Sequence, residues 1–188
     1  MRIISGKYRG RRLDTVSSDD VRPTTDRVRE ALFSHLGNHI SGARVLDLFA
    51  GSGALGLESL SRDAAFAVFV ERSRKVFSFL QKNVENMDAG SCCSLVCMDA
   101  IGYLKKNGIS ADPFDLIFLD PPYDGPWLAA ALQLLGERDM LALNGIIVAE
   151  HRAAFRLDKL NLHPALQIIR TKQYGKTTIT TIGASNAR

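Results

Sequence analysis

From residue 44 to residue 151 the chain repeats one pattern, a short apolar run followed by an amphipathic stretch, and that pattern leaves few folds open. "ARVLDLF", "FAVFVE", "SLVCMD", "FDLIFLD" and "GIIVAEH" are β-prone runs bounded by small or polar residues. Helical stretches stand between them: "AGSGALGLESL", "SRKVFSFLQKNVENM" with Val76, Phe77, Leu80 and Val84 on one face, "AIGYLKK" and "PWLAAALQLLGE". Apolar strands alternating with helices form a parallel sheet covered on both sides. The expectation is an α/β, doubly wound, Rossmann-like domain. The ending breaks the rhythm. "LQIIRTKQYGKTTITTIG" is two β-rich runs joined at Tyr174-Gly175, an antiparallel hairpin that completes a mostly parallel seven-stranded sheet.

Two regions come before this pattern. Residues 1–20 read as an N-terminal β-hairpin extension, with "RIISGKYRGRRLDTV" split at Gly6 and Gly10. Residues 22–38 read as a helix capped by Thr25 or Asp26 and ended by Gly37, with Val28, Ala31, Leu32 and Leu36 on one face. Arg22, Arg27 and Arg29 then fall at its start or on its polar side. With 188 residues, 46% of them hydrophobic, the chain can bury one sizeable core. Residues 21–188 are therefore expected to form that single domain.

The net charge of +4 says less than its distribution. Arg2, Lys7, Arg9, Arg11 and Arg12 crowd the N-terminus without an acid among the first twelve residues, and Arg170, Lys172 and Lys176 crowd the closing hairpin. A basic edge interleaved with Tyr8 and Tyr174 suits a polyanion such as nucleic acid. The same charges also protect a sheet edge from aggregation. The basic start is not followed by an apolar signal core, and no apolar run approaches the roughly 18 residues of a membrane span. A cytoplasmic protein without a membrane partner is expected. Cys92, Cys93 and Cys97 are odd in number and lack CxxC spacing, so reduced thiols are expected and no metal.

"GSGALG", Gly51 to Gly56, stands after a strand and before a helix, where glycines permit a tight turn and close approach of a ligand to the backbone. A dinucleotide site and a plain turn both fit. The acids sharpen the choice. Asp47 ends the first strand, Glu71 the second, where it can accept hydrogen bonds from a ribose diol, and Asp99 the third, within reach of an adenine edge. Asp99 serves equally well as a helix cap. Asp120 ends the fourth strand. Acids at these tips suit a cationic, ribose-bearing ligand better than a pyrophosphate, and S-adenosylmethionine is such a ligand.

The fourth strand runs into "DPPY", Asp120 to Tyr123. A stiff turn would explain the prolines but neither the carboxylate nor the tyrosine. "DLFAGSG", Glu71, "MDA" and "DPPY" in this order resemble the S-adenosylmethionine-dependent methyltransferases that act on planar amino groups. The resemblance implies a catalytic set of Asp120, Pro121, Pro122 and Tyr123. Asp120 and the Pro121 carbonyl would accept the amine protons, while Tyr123 would stack on the base. The same motifs imply a cofactor cleft that takes in Asp47, Phe49, Gly51 and Gly53 from the first strand end, Glu71 and Arg72 from the second, and Asp99, Ala100 and Asp120.

"RIISGKYRGRRL", "RPTTDRVREALFSHL" and "KQYGKTTIT" are similar to the bacterial 16S ribosomal RNA guanine-N2 methyltransferases known as RsmD. This resemblance covers nearly the whole chain. It implies that Arg22, Pro23, Thr24 and Thr25 border the cofactor and substrate clefts, and that the substrate is 16S ribosomal RNA, within a small-subunit particle, acted on by a monomer. Lys7, Arg9, Arg11 and Arg12 of the extension are the expected RNA contacts. A DNA adenine-N6 or cytosine-N4 methyltransferase stands as the alternative, though the chain leaves little room for a target-recognition domain. A non-catalytic RNA-binding module would have no need of Asp120 to Tyr123. A protein glutamine methyltransferase would call for Asn where this chain has Asp120.

Overall fold

The computed structural model of the chain describes residues 1–15, 26–107, 112–123 and 125–185. Seven strands form one sheet: β1 (Arg44–Asp47), β2 (Phe66–Glu71), β3 (Cys93–Cys97), β4 (Phe114–Leu119), β5 (Leu141–Arg152), β6 (Leu166–Tyr174) and β7 (Thr177–Ala184). Their order is β3-β2-β1-β4-β5-β7-β6. β1 to β5 run parallel, while β7 pairs antiparallel with both β5 and β6. The expected sheet and closing hairpin are borne out. The hairpin folds back so that β7, not β6, joins the parallel strands.

The strands are apolar on both faces because helices cover both. One face carries α1 (Asp26–Leu36), α2 (Ala54–Ser61) and α3 (Arg74–Asn86), packed on Val45, Ala67, Phe69, Leu116, Phe118 and Val148. The other carries α4 (Ala100–Lys106) and α5 (Trp127–Glu137), packed on Leu46, Val68, Ile117, Leu119 and Ile147. Side chains alternate along each strand, so Asp47, Glu71 and Glu150 all share the parity of the first face. No helix among the described residues is long and apolar enough to cross a membrane.

Two glycines of the loop are required by packing. A Cβ on Gly56 would stand 2.2 Å from the Phe69 ring, and one on Gly53, whose φ is +84°, would stand 2.5 Å from Leu80. Both let α2 settle onto its neighbours. Gly51, with φ +55°, has open space where its side chain would be. Of the three, it is Gly51 whose missing side chain leaves room for a ligand.

The N-terminal segment closes with an antiparallel bridge between Arg2 and Arg12, and Ile3, Tyr8 and Leu13 are buried in the core. Its backbone is bound by three buried polar side chains. Glu58 of α2 accepts from the Ile4 and Ser5 amides at 2.7 and 3.1 Å, Ser61 Oγ from the Tyr8 amide at 2.9 Å, and Asn83 Oδ1 from the Asp14 amide at 2.8 Å. Gly6, at φ +82°, lies so close to the Ser61 carbonyl that a Cβ would overlap it.

Tyr8, which stands within the basic edge, is buried and carries Lys7 and Arg11 over its face at 5.1 and 5.6 Å. One expectation about this region is corrected: Arg29 is not on the polar side of its helix. It is fully buried, donating to the Arg2 carbonyl and, at 2.9 Å, to Asp26. Removal from water holds its pKa below the ordinary arginine value despite Asp26 and Glu58 nearby. The periodicity of α1 could not reveal this, because the N-terminal segment that covers Arg29 belongs to a different part of the sequence.

Glu58→Ala should destabilise the fold by about 3 kcal/mol or more, because two backbone donors and Arg62 lose one buried partner. Urea unfolding would measure it. Gly6→Ala should expose Tyr8 through undocking of the segment, visible as a gain in tyrosine accessibility; an unchanged stability for both variants would contradict this account of the clamp.

Candidate active site

Across the sheet the strand tips carry Asp99, Glu71, Asp47, Asp120 and Glu150 in the spatial order β3, β2, β1, β4, β5. Sequence order hides this arrangement, since β4 follows β3 in the chain but lies beside β1. Asp47 is buried, and its Oδ2 accepts from the Gly56 amide at 3.0 Å. Burial, with Glu71 adding to it, raises its pKa from 3.8 to about 7 against the opposing pull of that hydrogen bond. Asp120 stands one residue past the pair Leu119–Ala149. Burial of its carboxyl, then the charges of Glu150 and Asp47, push its pKa well above the carboxylate range.

Glu71 is held by the loop. Its Oε2 accepts from the Gly51 amide at 3.0 Å and its Oε1 from the Ser73 amide at 2.7 Å. Each carboxylate oxygen retains acceptor capacity for a hydroxyl pair. Asp99 is the cap of α4, accepting from the Gly102 amide at 2.7 Å, so the plainer of its two readings is realised. Ala100 is buried behind it, and Phe49 is half-buried against the α4–α5 core. Arg72 reaches over the Trp127 ring at 5.8 Å and links the end of β2 to α5. Arg22, Pro23, Thr24 and Thr25 lie outside the described residues.

Past Asp120, Pro121 is buried, while Pro122 and Tyr123 are exposed. The Tyr123 hydroxyl donates to Glu150 Oε1 at 3.2 Å and lies 3.3 Å from Thr177 Oγ1 on the closing hairpin. Arg152 stands over its ring at 5.2 Å. Sequence reasoning misses Glu150 and Arg152, because "VAEHR" reads as the continuation of a buried strand. An acid among apolar residues is the available signal; its meaning requires β5 to lie next to β4.

Lys7, Arg9, Arg11 and Arg12 belong to the N-terminal turn, which docks on the C-terminal ends of α2 and α3, the ends remote from the strand tips. Arg11 donates there to the Asn86 carbonyl at 2.7 Å. The structure thus brings together Asp47, Gly51, Glu71, Asp120 and Tyr123, and sets the basic turn apart from them.

A glycine loop, acids at successive parallel strand tips and a seven-stranded sheet closed by a reversed hairpin define the Rossmann-like architecture of the S-adenosylmethionine-dependent methyltransferases. The chain belongs to the family described as conserved hypothetical protein 95, which matches residues 1–183. It is 43% identical over 150 residues to ribosomal RNA small subunit methyltransferase D of Escherichia coli (strain K12), covering 80% of this chain and 74% of that protein. The protein of the same name from Haemophilus influenzae is 38% identical over 151 residues, covering 80% and 78%. Among solved structures, the Escherichia coli protein yhhF superposes with a TM-score of 0.86 at 36% identity over 98% of each chain. The resemblance read from the motifs is borne out at the level of the family.

A carboxyl whose pKa rises on folding binds its proton more tightly in the native state, so its contribution to stability is present below about pH 4 and lost as pH rises through about 7. Asp47 meets this condition, from 3.8 to about 7. Thermal melts of the cofactor-free protein between those limits should show a falling midpoint, and Asp47→Asn, whose amide oxygen still accepts from Gly56, should flatten the fall. Identical slopes for the two proteins would refute the assignment.

Proposed function

We propose that this chain methylates the exocyclic N2 amine of a guanine in 16S ribosomal RNA, with S-adenosylmethionine as donor. The observation that carries this reading is the Asp120-Pro121-Pro122-Tyr123 mouth set among buried carboxylates. Membership of a family whose relatives bear ribosomal RNA methyltransferase names supports the RNA substrate.

The residues fit the donor. Asp47 and Asp120 are held above the ordinary carboxylate range by burial and by the acids beside them, and a bound cation relieves that cost. Glu71 is oriented by Gly51 and Ser73 toward a ribose, and Gly51 leaves the backbone approachable. When bound, S-adenosylmethionine supplies a methyl group on a positively charged sulfur.

The protein's task is to make a poor nucleophile attack. An exocyclic amine delocalises its lone pair into the ring. Asp120 and the Pro121 carbonyl accept its two N–H bonds, turning the nitrogen toward tetrahedral geometry and freeing the lone pair. The prolines fix that carbonyl's direction, since their φ angles are locked. The Tyr123 ring, anchored through its hydroxyl to Glu150 and Thr177, offers a face on which the flipped base stacks. On receiving the methyl group, as its bond to the donor's sulfur breaks and a neutral thioether departs, the nitrogen would give up one proton, and Asp120 in its ionised form would take it. The raised pKa of Asp120 makes it a stronger acceptor than a solvent-exposed carboxylate. Lys7, Arg9, Arg11 and Arg12 hold the RNA through its phosphates, outside the cleft.

Incubation with radiolabelled S-adenosylmethionine and unmodified small-subunit RNA or particles, followed by nucleoside digestion, should yield N2-methylguanosine; a label on adenine or cytosine would overturn the reading. Asp120→Ala should lower turnover about 100- to 1000-fold, far more than it weakens donor binding. Tyr123→Phe should be milder than Tyr123→Ala. The pH profile of kcat/KM should rise as Asp120 ionises, and Glu150→Gln should move that rise to lower pH because a neighbouring negative charge is gone. A rise that stays in place would show that Glu150 does not act on Asp120.

A further inference from the structure

A second charged surface lies along the outer strand of the sheet. Arg170, Lys172 and Tyr174 occupy alternate positions of β6, past the irregularity between Ile168 and Arg170, and so point to one side. With Ala31, Leu32 and His35 of α1 and Ile179 and Thr181 of β7, they line a shallow groove that encloses about 40 Å³. Arg170 Nη1 lies 3.0 Å from His35 Nδ1. A guanidinium only donates, so the imidazole accepts and is neutral. Partial burial and the charges of Arg170, Lys172 and His39 hold its pKa below the usual histidine value, consistent with that role. Lys172 Nζ stands 5.0 Å from the Tyr174 ring centre.

Among the described residues, neither Arg170 nor Lys172 has a carboxylate within ion-pair distance. Edge-strand protection asks only for solvated charges. Here one cation is fixed to a histidine and another lies over an aromatic ring, both on the wall of a groove with an apolar floor. The groove also leads to the site. Tyr174 pairs with Thr177, whose hydroxyl lies 3.3 Å from that of Tyr123.

We propose that the α1–β6 groove is a binding site for the sugar-phosphate backbone of the RNA that flanks the target base, with Arg170 and Lys172 each taking a phosphate. The proposal rests on the RNA-methyltransferase reading and adds to the N-terminal turn a second, separate region of RNA binding. Positions two apart on a strand stand about 7 Å from each other, a separation that successive phosphates of one strand can match. The apolar floor formed by Leu32 and Ile179 suits sugar carbons, and the line of Arg170, Lys172 and Tyr174 directs the RNA toward Tyr123.

The test uses the full chain and a fluorescently labelled single-stranded oligoribonucleotide of mixed sequence, titrated at several potassium chloride concentrations. The paired variant Arg170→Gln, Lys172→Gln should bind more weakly, with the slope of log K against log[salt] reduced by about 1.4, or about 0.7 for each phosphate no longer neutralised. S-adenosylhomocysteine binding, measured by calorimetry, should be kept, which verifies the fold of a variant altered only at exposed positions. Replacing Arg9, Arg11 and Arg12 should reduce the slope independently, and the two reductions should add. A parent protein that shows no salt-dependent RNA binding would sink the RNA reading itself. A parent that binds, with a paired variant of equal affinity and slope, would sink the groove alone. Equal RNA binding with reduced methylation of assembled particles would assign the groove to a ribosomal protein and overturn the proposal.

Discussion

Like charge crowded at the tips of four adjacent parallel strands governs this molecule. Glu71 on β2, Asp47 on β1, Asp120 past β4 and Glu150 on β5 converge where the sheet ends. The pKa values of the two aspartates rise because each carboxyl is withdrawn from water and each has a further acid beside it. Such a cluster is tolerable in two ways, by retaining protons or by taking in a cation. The same arrangement therefore gives the cofactor-free protein its pH sensitivity and makes the cleft favourable to a sulfonium donor. In the proposed reaction it would also supply the acceptor for the proton that the methylated amine loses.

Helix α2 links this cleft to the basic surface beyond it. Its N-terminal end is the glycine loop, brought close to β2 and α3 because Gly53 and Gly56 carry no side chain. Its middle and last turn hold Glu58 and Ser61, which bind the backbone of the N-terminal turn. Asn83 of α3 ties the two together, donating to both the Asp14 and Ser52 carbonyls at 2.9 Å. The turn that carries Lys7, Arg9, Arg11 and Arg12 is thus built on the same rigid elements that carry the cofactor loop. In the proposed function the backbone of this turn is therefore ordered before RNA binds.

On the opposite side of the cleft, the closing hairpin has a corresponding role. Inserting β7 next to β5 brings Thr177 to Tyr123 and leaves β6, with Arg170 and Lys172, as the outer strand. A parallel strand could not have served, because its return connection would cross the sheet instead of turning at Tyr174-Gly175. The reversed hairpin sets one wall of the mouth.

The sequence alone determined the α/β class, five parallel strands and a terminal hairpin, because burial on both faces writes itself as continuous apolar runs and a turn as Tyr174-Gly175. It also marked Asp47, Glu71 and Asp120, since acids at the ends of successive apolar runs are more than helix capping calls for. What it did not contain was adjacency. Glu150 became part of the site only because β5 lies beside β4, and Arg29 became a core residue only because the N-terminal segment brings the Arg2 carbonyl onto α1. Tyr8, polar in its sequence setting, was buried where that segment docks on α2. Local periodicity reports which face a residue takes within its own element; which element then covers that face is decided by long-range packing, and only the tertiary structure records it.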